Sequence, residues 1–190
     1  EFGVCSIGFD NRKGTRSAVR HLVSLGHVRI AYLGGTPGWM DSIDREEGFR
    51  MGMEEHGLQI EERWVEPCDF AQGFETAFER MAQIMSRKVE GPTAVVCASD
   101  ELAAGALACI RRWGKEVPAD ISIVGFDDNR WGTYLCTPLT TVRHDGWVLG
   151  DQVGEALLQM MKDQKNRPEK ETILETQLIV RDSTGPAPQE

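Results

Sequence analysis

No stretch of this 190-residue chain is apolar for long enough to cross a bilayer, and its first residues lack the layout of a signal peptide. That argues against a membrane protein and fits a cytoplasmic one. Basic charge is scarce as well: 21 Lys and Arg face 30 Asp and Glu, a formal net charge of −9. Phosphate backbones are gripped by clustered cations, so this segment does not hold nucleic acid through its overall field, and any DNA contact must come from elsewhere. The five cysteines, Cys5, Cys68, Cys97, Cys109 and Cys136, are scattered and odd in number, without C-x-x-C spacing or paired histidines. They read as buried free thiols rather than as a zinc site or a disulfide framework. Catalytic signatures are missing too. Gly34-Gly35-Thr36-Pro37-Gly38 lacks the Gly-Lys-Ser/Thr ending of a phosphate loop, and there is no G-x-S-x-G elbow and no H-E-x-x-H. Asp127-Asp128 has no positioned lysine or further carboxylates in matching places to make a metal-dependent phosphate site. No cofactor, no metal and no catalysis are expected.

Enough remains for an ordinary globular chain: 41% hydrophobic and 27% charged residues, in a length that buries a sizeable core. Strand-like and helix-like segments alternate. Cys5 to Phe9 reads as a strand, followed by a helix to about Leu25 that Gly26 stops. Arg29 to Leu33 is the next strand, and Asp41 or Ser42 can cap a helix reaching His56-Gly57, which puts Arg45 in its first turn. Trp64 to Cys68 is a short strand with Phe70 in the loop beyond it. Phe74, Ala77, Phe78, Met81, Ala82 and Met85 then recur at helical spacing as a core stripe. The strand Ala94 to Ala98 ends at Ser99, a natural N-cap. A further helix runs from Asp145 to about Lys162. Residues 164–170 read as a polar turn, Ile173 to Arg181 as two closing β segments, and Gly185-Pro186-Ala187-Pro188 as a frayed tail. Short loops between alternating elements predict an α/β fold with a mainly parallel sheet and helices on both faces.

The most informative stretch is Asp120 to Gly150. Ile121 to Phe126 suits a strand buried on both faces, and it stops at Asp127-Asp128. In an open parallel sheet the carboxyl ends of the strands face the ligand crevice, so an acceptor-rich edge falls where a polar ligand binds. The pattern Ile-Val-Gly-Phe-Asp-Asp, then Thr-Pro-Leu-Thr-Thr-Val, then Gly150 near a helix start resembles the effector-binding domain of lac repressor family (LacI/GalR type) transcription regulators. The resemblance continues upstream in Asp10-Asn11 with Gly14, in the run Arg20 to Gly35, and in Arg45-Glu46-Glu47-Gly48-Phe49-Arg50.

The resemblance implies a type I periplasmic-binding-protein-like domain. Most of this chain forms the C-terminal lobe, and residues 142–163 cross to an N-terminal lobe that is otherwise missing, as is the DNA-binding helix-turn-helix. It implies a sensor that binds a small polar effector, a sugar or sugar derivative, and that acts as a homodimer on DNA. The effector site falls on Arg45, Asp127, Ser99, Phe70 and His144. Ser99 stands where the family often has Asn, leaving one hydroxyl where an amide both donates and accepts. Phe70 is equally suited to the core, and His144 to a satisfied hinge histidine. The competing reading is a periplasmic sugar-binding protein for transport or chemotaxis, which shares the two-lobed architecture. One corollary concerns the 145–162 helix: Leu149, Val153, Ala156, Leu157 and Met160 form an apolar face that must fold back on its own lobe or pair with another chain.

Overall fold

The computed structural model describes residues 5–87, 90–162 and 171–189. The polar turn expected at 164–170 lies outside them. In chain order the elements are β1 (Ser6–Phe9), α1 (Asn11–Ser24), β2 (Ile30–Gly34), α2 (Met40–Glu55), β3 (Val65–Pro67), α3 (Gly73–Ser86), β4 (Ala94–Cys97) and α4 (Asp100–Arg112). They continue through β5 (Ser122–Asp127), β6 (Thr140–Arg143), α5 (Gly146–Lys162), β7 (Glu171–Leu174) and β8 (Gln177–Ile179).

Six strands form the main sheet in the order β3-β2-β4-β5-β6-β8, all parallel except β8, which runs antiparallel along β6. The apolar runs of β2 and β4 are buried throughout, because helices cover both sides of the sheet. The two sides can be assigned from β5. A side chain on Gly14 of α1 would press on Phe126, whereas one on Gly125 would collide with Asp100 of α4. Successive residues of a strand point to opposite faces, so α1 and α4 lie on opposite sides of the sheet. Each side carries a helix pair packed through a glycine. A Cβ on Gly48 of α2 would overlap the Arg12 backbone of α1, and one on Gly105 of α4 would overlap the Phe74 carbonyl of α3. The core between these layers includes Leu22, Tyr32, Phe49, Met81, Leu102, Ile110, Ile123 and Phe126.

The tail is not frayed. His27 is fully buried; Thr93 Oγ1 lies 2.9 Å from its Nδ1, and its Nε2 donates to the Gly185 carbonyl at 3.0 Å. Gly185 N in turn donates to Ser122 Oγ, and Ala187 N to the Leu25 carbonyl. Burial lowers the pKa of His27, against the partial support of the Gly185 carbonyl.

A second, smaller unit stands apart. β1 and β7 form a two-stranded parallel sheet, and α5 packs against β1. Asp145 caps α5 by accepting from Trp147 N at 2.9 Å. The apolar face of α5 has not folded back: none of its residues is buried, and Trp147 is 88% and Leu157 55% exposed. Of the two covers expected for this face, folding back on its own lobe is not found, because β1 and β7 offer too narrow a surface to cover a 17-residue helix.

Candidate functional site

The carboxyl ends of β2, β3, β4 and β5 open on a common hollow, a cavity of about 530 Å³ lined by Trp39, Asp41, Arg45, Phe70, Ser99, Glu101, Asp127, Asn129 and Trp131. The topology explains the place. From β2 the chain steps outward to β3 and then back across to β4, and a crevice forms where the strand order reverses.

Each wall is set by local backbone chemistry. Trp39, in extended conformation, is the N-cap of α2, and its own N–H donates to the Thr36 carbonyl. The helix thus begins before Asp41 and Ser42, neither of which caps it. Arg45 accordingly lies in the second turn, not the first, away from the helix end where a cation is disfavoured. After β3, the Phe70 N–H donates to Thr36 Oγ1 at 2.9 Å, which turns the ring toward Trp39, 6.1 Å away and edge-on. Ser99 both lines the cavity and caps α4, accepting from Leu102 N at 3.2 Å.

Arg45 is 7% exposed. Its Nε donates to Asn11 Oδ1 at 2.9 Å, and its Nη1 to the Ala98 carbonyl at 2.5 Å and to Asp127 Oδ1 at 3.3 Å. The guanidinium plane lies over the Phe126 ring, 3.8 Å from its centroid. Nη2 has no hydrogen-bond partner among the described residues, so the side chain is fixed on one edge and offers donors on the other. Asn11 also donates to Asp41 Oδ1, which ties the β1–α1 junction into the same network.

Asp127 is held from two directions. His144 Nε2 donates to its Oδ1 at 3.0 Å, and the imidazole stacks at a tilt on Phe9 of β1, 4.6 Å away. His144 is thus beside the cavity rather than in its lining, joining Asp127 to the β6–α5 crossing. The backbone of Asp127 and Asp128 has positive φ, 117° and 56°, a region that non-glycine residues enter at a cost. Neighbours enforce it. Asp128 forms ion pairs with Arg143 at 2.6 Å and Arg181 at 2.5 Å, and Asn129 N donates to Asp100 Oδ2 at 2.6 Å. Burial pushes the Asp128 carboxyl up, but the two arginines outweigh it and the net pKa is lowered. Asp100 is fully buried and, among the described residues, has no such cation. Desolvation raises its pKa to about 7, against the hydrogen bonds from Thr141 and the Asn129 N–H.

The structure therefore brings Arg45, Asp127, Ser99 and Phe70 to one cavity and sets His144 one hydrogen bond behind. Sequence reasoning does not place Trp39, Glu101, Asn129 or Trp131 in the site, and it reads Asp41 only as a helix cap. A larger groove of about 740 Å³ runs between α1 and residues 176–178. Two of its cations, Lys13 and Arg16, are paired with Glu175 and Glu55. None of the side chains that the sequence points to for an effector lines it.

The periplasmic binding protein-like domain model matches residues 19–184. The chain is 36% identical over 188 residues to the arabinose metabolism transcriptional repressor of Geobacillus stearothermophilus, covering 94% of this chain and 49% of that protein. Among solved structures, a transcriptional regulator CelR–cellobiose complex superposes with a TM-score of 0.88 at 29% identity, over 95% of this chain and 54% of the other. The lac repressor dimer bound to operator and the anti-inducer ONPF superposes with a TM-score of 0.84 at 31% identity, over 95% and 60%. The chain spans about half the length of the curated relatives it matches. With this fold, this strand-end cavity and these matches, the chain belongs to the periplasmic binding protein-like domain family, in the form carried by LacI/GalR-type repressors.

Proposed function

We propose that this chain is the ligand-sensing part of a bacterial transcriptional repressor, and that it binds a small polar effector, a sugar or sugar derivative, in the cavity at the strand ends. Arg45 and Asp127 pair a donor with an acceptor for neighbouring hydroxyls, a charge-assisted arrangement that loses strength sharply when either partner is removed. Phe70 and Trp39 offer apolar ring surface to the face of a sugar, and Ser99 a hydroxyl. His144 relays the state of Asp127 to the segment leading into α5. The observation that carries the reading is the convergence on one hollow of polar and aromatic side chains from four strand ends.

The relatives support the rest of the reading. Half of each lies outside the matched region, and we assign to that half a DNA-reading helix-turn-helix and the second wall of the cleft, reached through residues 142–163. Effector binding stabilises one placement of the two lobes, and that placement sets the spacing of two DNA readers in a homodimer. The protein works in the cytoplasm, as a binder rather than a catalyst. The named regulators among its relatives favour this over a periplasmic transport role.

The test is a thermal-shift screen against sugars, sugar phosphates, polyols and purines, with the protein that carries this domain. A ligand at a hundred times its dissociation constant adds about 2.7 kcal/mol of stability. A hit that Asp127→Asn abolishes, and that alters operator binding in a mobility-shift assay, supports the proposal. A screen with no hit in any class defeats it.

A further inference from the structure

The charge of the cavity narrows the effector further, on the proviso that the sensor reading above holds. Three carboxylates line it, Asp41, Glu101 and Asp127, against the single guanidinium of Arg45. That guanidinium is already engaged by Asp127, by the Ala98 carbonyl and by the face of Phe126. Asp41 accepts a hydrogen bond from the neutral Asn11 amide, and among the described residues neither Asp41 nor Glu101 has an ion pair. Two helix N-termini also open on the cavity, those of α2 and α4, each carrying roughly half a positive charge. Together these contributions still leave about one negative charge facing the ligand.

An uncharged sugar meets this lining well, because each carboxylate accepts from a hydroxyl and the rings of Trp39, Phe70 and Trp131 take up the C–H faces. An anionic sugar does not. At roughly 6 Å and an effective dielectric near 20, one like charge weakens binding by about a hundredfold, and salt reduces this toward tenfold. We infer that this site selects against anionic sugars, and that Asp41 and Glu101 are the residues that reject the carboxylated and phosphorylated counterparts of its neutral ligand.

The experiment compares neutral sugars with their own acids and phosphates by calorimetry, on the protein that carries this domain: arabinose, glucose, galactose, lactose and cellobiose, each beside its aldonate or uronate and its phosphate. The expected result is that a neutral member binds at least tenfold tighter than its anionic partners. The ratio narrows when salt is raised from 0.05 to about 0.5 M, as screened repulsion requires, and again in Glu101→Gln and Asp41→Asn. The salt series keeps the test decisive if either variant folds poorly. An anionic partner that binds as well as its neutral sugar, or a ratio that ignores salt, overturns the inference while leaving the sensor reading intact. A panel in which nothing binds overturns both.

Discussion

α3 and α5 have the same kind of sequence and opposite surroundings. Both repeat apolar residues at helical spacing, yet α3 buries Ala77, Met81 and Ile84 between α4 and the six-stranded sheet, while no residue of α5 is buried. Periodicity announces which side of a helix is apolar; it does not say what lies against that side. The six-stranded body is therefore a closed packing problem, solved within this chain, and the β1–β7–α5 unit is an open one.

The sharpest way to test that contrast is to add volume on one side and remove it on the other. Gly105→Val forces a branched side chain into the Phe74 backbone across the α3–α4 contact, and about 4 kcal/mol of stability is expected to go, read as a fall of roughly 8 to 16 °C in Tm by calorimetry. Within the body, Arg45→Ala leaves Asp127 and the Ala98 carbonyl without their shared donor. A loss of about 3 kcal/mol in chemical denaturation is expected, together with any stabilisation by sugar. If the variant keeps its stability, the network around Arg45 is not the buried structure described above.

Next comes a pH effect. The Asp100 pKa is raised from 3.8 to about 7, so the folded chain binds a proton there that the unfolded chain releases, and stability falls as pH rises from about 4 to 7. His27 acts in the opposite sense: its lowered pKa keeps the ring neutral in the fold, so stability is lost as pH falls below about 6.5. Asp100→Asn deletes the first contribution, on the order of 3 kcal/mol between pH 4 and 7, and leaves stability rising toward pH 6.5 in urea titrations. A pH profile unchanged by the substitution would show that Asp100 is ionised throughout. The smallest effect is expected on the open side. Leu157→Ser on α5 removes an apolar group already 55% exposed, so the Tm of this chain should move by no more than about 2 °C, a change within about 0.5 kcal/mol. A fall comparable to that of Gly105→Val would erase the contrast between the two units.

Much of this is legible in the sequence. β4 and β5 read as buried strands because their apolar runs end at polar residues, and Ser99 reads as a cap because a hydroxyl before an apolar helix has one obvious partner. What stayed hidden has physical reasons. Trp39 caps α2 through backbone conformation alone, which no side-chain preference signals, and so the position of Arg45 shifted by a turn. Trp131 sits in a short 3₁₀ turn with no period to mark it, and Glu101 looks like any acid placed favourably in a first helical turn. The tail appeared loose because its anchors, His27 and Ser122, lie far away in sequence and meet it only in the fold.

The twist of main chain at Asp127 and Asp128 has a practical side. Because the ion pairs of Asp128 hold the main chain at positions 127 and 128, the direction of the Cα–Cβ bond at 127 and the chemistry of its head group are separable. A protein engineer wanting a different specificity could exchange the head group presented at 127 and keep its bearing, provided Asp128, Arg143 and Arg181 stay untouched. Altering those three would swing the pointer instead of changing its tip.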